Sequence, residues 1–235
     1  MQLPFFYIGS FDATTKSIVL DEDTSRHVVQ VLRMKEGEQL ELTDGKGNIY
    51  TTEIINDHKK HCVVEIKATS HKLRAARQIT IAISLLKNTN RFQWFLEKAT
   101  EIGVNEIIPL ICERTEKDKF RFERMKGILV SAMLQSQQCW LPVLQEPITF
   151  KEVVEQSQHQ QKFIAHCMEE EKRDLNGLVN KSLSSQIILI GPEGDFTKEE
   201  IKLAIQHHFE AVSLGITRLR TETAGIVAAV SLRTI

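Results

Sequence analysis

From residue 78 onward, strand-length apolar runs alternate with amphipathic helical stretches, and this rhythm restricts the fold more than any other feature of the chain. Residues 79–86 read as a buried strand, 91–102 as a helix stopped by Gly103, and 107–111 as the next strand. A helix over 121–138, strands over 163–167 and 187–190, a helix over 198–209 behind a Thr197 cap, a strand over 211–214 and a helix over 222–233 continue the pattern. Such alternation predicts an α/β domain with a mostly parallel sheet and helices on both faces.

The first seventy residues follow another rhythm. Short extended candidates at 5–8, 17–20, 39–42, 48–55 and 62–69 are separated by turns, of which Asp44-Gly45-Lys46-Gly47 is a hairpin turn. One helix, capped by Thr24 and running through 27–33, interrupts them. Short strands at this spacing predict a small barrel. A chain of 235 residues suits one large domain with a small companion at about 150 residues per domain. The boundary is expected near 70–77, giving units 1–72 and 73–235.

Several classes are excluded. No apolar run approaches the roughly 18 residues of a membrane helix, and the first charge is Asp12, so a basic secretory leader is missing. A soluble, unexported, cytoplasmic protein is expected. Cys62, Cys112, Cys139 and Cys167 form no close pair and have no neighbouring His, which predicts reduced core residues and no zinc set. The net charge of −1 is uninformative, but 67–91 holds Lys67, Lys72, Arg74, Arg77, Lys87 and Arg91 without one acid. That basic belt suits phosphate.

Open parallel sheets bind ligands beyond the carboxyl ends of their strands, so the loops after 187–190 and 212–214 are read first. Gly191-Pro192-Glu193-Gly194-Asp195-Phe196 can turn sharply and bring bare backbone against a ligand, or can be an ordinary turn before a capped helix. Its acids and the missing Gly-Lys-Ser/Thr ending rule out a phosphate loop. In the second loop, Arg218, Arg220 and Glu222 stand at a helix start, where the dipole favours acids over arginines. They suit an anionic ligand or developing negative charge; equally, Arg220 could pair with Glu222 or Glu193 as structural glue. His27 and Arg33 fit either an RNA contact or a solvated face, and Arg91, Phe92 and Trp94 either base stacking or a core helix.

Five ordered segments together resemble the ribosomal RNA small subunit methyltransferase E family: residues 27–33 (HxxxVLR), 37–50, 91–109 (RFQWFLEKATEIGVNEIIP), 191–196 (GPEGDF) and 214–224 (LGITRLRTETA). The resemblance covers nearly the whole chain. It implies methylation of uridine N3 in small-subunit (16S) rRNA, as free rRNA or a 30S particle, with S-adenosylmethionine and no metal. It also implies a PUA-like barrel that holds RNA, a SPOUT domain with a C-terminal trefoil knot, and a homodimer. By this resemblance, His166, Ile190, Gly191, Pro192, Glu193, Gly194, Leu214, Gly215, Leu219 and Arg220 would hold the cofactor, largely through backbone groups. Arg220 and Glu222 would serve catalysis; His27, Arg33, Arg74, Arg77 and Arg91 would meet RNA. The alternatives are a SPOUT-type methyltransferase acting on tRNA and an inactive ribosome-assembly factor. The sequence departs from the family's usual pattern at Asp195, commonly Gly, at Thr217, commonly Arg, and at Gln138, commonly Arg.

Overall fold

A computed structural model of the chain describes residues 3–9, 11, 15–116, 119–168 and 172–234. They divide into two compact units: Met1–Arg74 with Met133–Leu141, and Ala75–Ala132 with the residues from Pro142 onward.

In the first unit, β1 (Phe5–Tyr7), β2 (Ser17–Val19), β3 (Gln39–Thr43), β4 (Asn48–Asn56) and β5 (Val63–His71) form a sheet in the order β1-β3-β4-β5-β2. Alternation drives it: Leu40 and Leu42 of β3 and Tyr50 and Ile54 of β4 point to one core with Ile18, Val28 and Val64. The expected hairpin turn is present, with Asp44 Oδ1 accepting the Lys46 N–H at 2.8 Å. Gly47, at φ +91°, is obligatory, because a Cβ there would come within 2.5 Å of the Trp140 ring. The helix expected behind a Thr24 cap starts earlier. Asp21 caps α1 (Glu22–Arg26), accepting the Thr24 N–H at 2.8 Å, and a π-helical turn, His27–Val31, follows. An aspartate three residues ahead outcompetes threonine because its two oxygens bond both the Thr24 amide and hydroxyl.

In the second unit, β6 (Gln78–Ser84), β7 (Glu106–Ile111), β8 (Val143–Leu144), β9 (Ile148–Thr149), β10 (Gln161–Ala165), β11 (Arg173–Asp174), β12 (Ser185–Ile190) and β13 (Glu210–Ser213) form one sheet, all described pairings parallel. Its order is β11-β13-β10-β12-β6-β7-β8, with β9 also on β7. Both faces are covered. On one, Ala82, Ile108, Ile164 and Leu189 pack with Phe150 and Val154 of α4 (Phe150–Gln156) and with Ile201 and Ala204 of α5 (Lys198–Gln206). On the other, α6 (Thr221–Thr234) packs on α2 (Thr89–Ile102), β6 and β12. Gly225 permits that approach, since a Cβ would sit 2.7 Å from Phe95 and 2.9 Å from Ile83.

Helix α3 (Phe122–Gln135) stops short of the expected 138 because Gln137 turns into the left-handed region at φ +56°. The glutamine-rich 156–161 segment is helix only to Gln156. Gln161 begins β10, its side-chain oxygen accepting the Asn180 N–H at 2.9 Å. Among the described residues, no helix is long and apolar enough to cross a membrane.

Candidate active site

Strands β13, β10 and β12 are neighbours, so the loops that follow them emerge together at the carboxyl edge of the sheet. They enclose two adjoining hollows of about 360 and 320 Å³, which share Ala165, Cys167, Arg218, Leu219 and Ala224. His166, Lys172, Leu214 and Gly215 are among the other residues lining one; Ile190, Gly191, Pro192, Glu193, Asp195 and Arg220 are among those lining the other.

The walls mix small residues, among them Ala165, Gly191, Gly215 and Ala224, with the larger His166, Lys172, Arg218 and Arg220. Gly191 is buried, and a Cβ there would stand 3.1 Å from the Phe196 ring and 3.3 Å from its amide nitrogen, so a side chain would press on the ring or the turn. Gly215 adopts φ +125°, a conformation open to glycine alone. Two of the three loops are tethered by side chains. Lys172 Nζ donates to the carbonyls of His166 at 2.6 Å and Met168 at 2.7 Å. Arg114, in the loop after β7, donates to the Gly194 carbonyl at 2.6 Å. Glu200 is buried: one oxygen accepts the Glu113 N–H at 2.9 Å and the other the Thr197 N–H at 2.8 Å, closing the capping box of α5.

At the start of α6, Arg220 is exposed and Glu222 is buried. Glu222 faces Arg91 of α2, Nε to Oε1 3.6 Å, so its partner is not Arg220. Leu219 and Leu214 are half-buried, Ile190 and Pro192 buried, Glu193 and Gly194 exposed. Of the expected cofactor residues, Gly194 lies outside the lining and is held instead by Arg114.

The expected RNA residues fall in both units. In the first, His27 and Arg33 are exposed around the π-helical turn, with His27 edge-on to Phe6 at 5.6 Å and Arg33 at φ +57°. Arg74 stands 5.3 Å above the Trp140 ring. In the second, Arg77 donates to the Arg233 carbonyl at 3.0 Å and Arg91 meets Glu222. Three cysteines are buried, and burial pushes the Cys62 thiol up to about 11 and Cys112 to about 12. Cys167 departs from the expectation of core cysteines: it is exposed and lines both hollows, because β10 ends at Ala165 and the chain turns outward. Sequence reasoning also passed over Arg114 and Lys172; neither carries a local signal, since their partners are carbonyls on other loops. Among the described residues, no group of three or more His, Cys, Asp and Glu could hold a metal ion.

Known proteins share this architecture. Residues 73–233 match the family described as RNA methyltransferase domain, and residues 20–67 the RNA methyltransferase PUA domain. Fold and groove thus define an RNA methyltransferase. A ribosomal RNA small subunit methyltransferase E from Synechocystis is 31% identical over 217 residues, 90% of this chain and 71% of that protein. The crystal structure of a probable rRNA-methyltransferase from Porphyromonas gingivalis is similar at 34% identity and a TM-score of 0.90, covering 98% of each chain. A ribosomal RNA small subunit methyltransferase E from Neisseria gonorrhoeae, bound to S-adenosyl methionine, matches at 28% identity and 0.86, covering 99% and 98%. The chain belongs to the ribosomal RNA small subunit methyltransferase E family.

Proposed function

We propose that this protein methylates N3 of a uridine in small-subunit (16S) rRNA, with S-adenosylmethionine as donor. The observation that carries the reading is the groove itself: three loops from adjacent parallel strands line one cavity, and Arg218 and Arg220 stand in its wall. The residues fit the cofactor. Hollows of about 360 and 320 Å³ are the size of small-molecule sites. Gly191 and Gly215 keep the backbone bare for a ligand's polar groups, while Ala165, Leu219 and Ala224 offer apolar contact. When bound, the cofactor supplies an electrophilic methyl group on a cationic sulfur.

The chain's own residues must then make uridine a nucleophile. N3 attacks poorly while it keeps its proton, and releasing that proton to solvent water spreads negative charge over O2 and O4. Arg220 is always charged and presents donors in a rigid fork, so its role is to bind those oxygens as the charge develops. Glu222, held by Arg91, fixes the first turn of α6 and with it the backbone that carries Arg220.

Finer features belong to the same reading. The C-terminal domain is a SPOUT domain whose end is threaded as a trefoil knot, which the packing of α6 against β6, β12 and the turn Leu175–Gly177 supports. The N-terminal domain is a PUA-like barrel that presents RNA, with the exposed His27, Arg33 and Arg74 toward phosphate; Arg77 and Arg91, in the second unit, belong to the same basic belt. The protein acts in the cytoplasm as a homodimer; apolar Trp94 and Val230, exposed on α2 and α6, suit a covered face. Incubation with methyl-labelled cofactor and unmodified 30S particles or rRNA should label one uridine at N3. Label in tRNA alone, or transfer to no RNA, overturns the reading.

A further inference from the structure

We infer that Asp195 is a positioning residue that couples two of the cofactor loops, fixing the groove before any ligand arrives. The inference rests on the groove's being the S-adenosylmethionine site. Asp195 has φ +63°, a left-handed conformation that side chains with a Cβ rarely adopt. Strain of this kind persists where surrounding contacts over-determine it. Here the contacts are two backbone donors: Oδ2 accepts the Cys167 N–H at 2.8 Å, and Oδ1 accepts the adjacent Phe196 N–H at 2.9 Å. The first bond crosses 28 residues of sequence and joins the loop after β12 to the loop after β10.

The geometry assigns the carboxylate a backbone-organising task. Both oxygens accept from backbone amides. Cys167 lines both hollows and Asp195 one of them, so the bond sits in the wall that the two share. On the other side of Asp195, Gly194 is held by Arg114 through its carbonyl. The turn is therefore pinned from two strands, and releasing Asp195 frees the side that faces the groove. Glycine at 195 would keep the backbone conformation and lose only the bonds, which separates coupling from strain. Asparagine tolerates the same φ and keeps one acceptor oxygen, so it retains a single bond.

The test compares the full chain with D195G and D195N by calorimetric titration of S-adenosylmethionine, by amide hydrogen exchange of the cofactor-free protein, and by steady-state kinetics. In D195G the Cys167 amide should exchange about tenfold faster or more, and Kd and KM for the cofactor should rise about tenfold, on the scale of a lost charge-assisted hydrogen bond. At saturating cofactor, kcat should stay within about threefold of the parent. D195N should fall between parent and D195G, a rescue that a loss of overall stability does not give. Unchanged Cys167 exchange and cofactor affinity in D195G, with the parent binding normally, overturns the coupling alone. A parent chain that binds no S-adenosylmethionine overturns the site reading, and the coupling with it.

Discussion

The two edges of the parallel sheet use the same strands and opposite materials. At the carboxyl ends of β10, β12 and β13, the boundary is made of loops: bare glycines, a left-handed aspartate, and side chains spent on tying loops together. At the amino ends of β6, β7 and β10, side chains seal the sheet. His159, half-buried, has Nδ1 3.0 Å from Ser157 Oγ and Nε2 3.0 Å from Thr80 Oγ1. Thr80 donates to Glu106 Oε2 at 3.0 Å, and Gln145 Nε2 donates to Glu106 Oε1 at 2.6 Å. A closed edge of hydrogen-bonded side chains stiffens the sheet, while an open edge of loops keeps space for a ligand. The division predicts that function and stability separate by edge, and substitutions can test it.

The largest effect is expected at the open edge. Arg220→Ala removes an exposed guanidinium, so folding stability should stay within about 0.5 kcal/mol. Turnover should drop by about 10² or more, the scale of removing one oxyanion donor. Arg220→Lys keeps the charge but not the fork and should remain severely impaired. Single-turnover methylation at saturating cofactor, beside calorimetric binding, checks both; near-normal turnover, or a defect confined to cofactor binding, makes Arg220 structural.

The reverse should hold at the sealed edge. Glu106→Ala strands the Thr80 hydroxyl and the Gln145 amide without their acceptor, and Thr80 is 2% exposed. A loss of about 1–3 kcal/mol in urea unfolding is expected, with cofactor affinity within about twofold of the parent. An equal loss of affinity would erase the distinction between the edges.

Gly191→Ala has a smaller effect that falls on both properties. The new methyl meets Phe196 at 3.1 Å, tight enough to shift the ring or the turn. About 1 kcal/mol of stability and a few-fold weakening of cofactor binding should follow.

Much of this was legible in the chain. The strand and helix rhythm after residue 78 found the parallel sheet, because apolar periodicity is local and each period is written in consecutive residues. The short strands β8, β9 and β11, two residues each, carry no period and were invisible. Glycine loops beyond strands located the groove, yet the tethers that shape it were not readable: Asp195 to Cys167, Arg114 to Gly194 and Glu200 to Glu113 join residues 28, 80 and 87 apart. Spacing allowed Arg220 to pair with Glu222 or Glu193, but Arg91 on a packed helix reaches Glu222 instead. Local spacing cannot rank partners that tertiary packing supplies.

The smallest expected effect concerns pH at the sealed edge. Burial holds the His159 pKa below its usual 6.5; Glu106 opposes that shift and Lys162 adds to it. The hydrogen bonds agree with a neutral ring: Thr80 gives its proton to Glu106, so Nε2–H donates to Thr80 and Nδ1 accepts from Ser157. Above about pH 6.5 the ring is neutral in folded and unfolded chains and contributes no slope. As pH falls through that value, the unfolded chain takes up a proton that the folded chain refuses, so stability declines until the folded ring also protonates. With eight histidines in the chain, the informative quantity is the difference between parent and His159→Gln, which keeps a polar side chain and cannot titrate. Urea unfolding at pH 7, 6 and 5 should show the parent losing more stability than the variant toward acid, while cofactor affinity at the opposite edge follows one pH profile in both. Parallel stability curves would mean that His159 contributes no pH dependence. A shifted affinity profile would mean that the two ends of the sheet are energetically coupled.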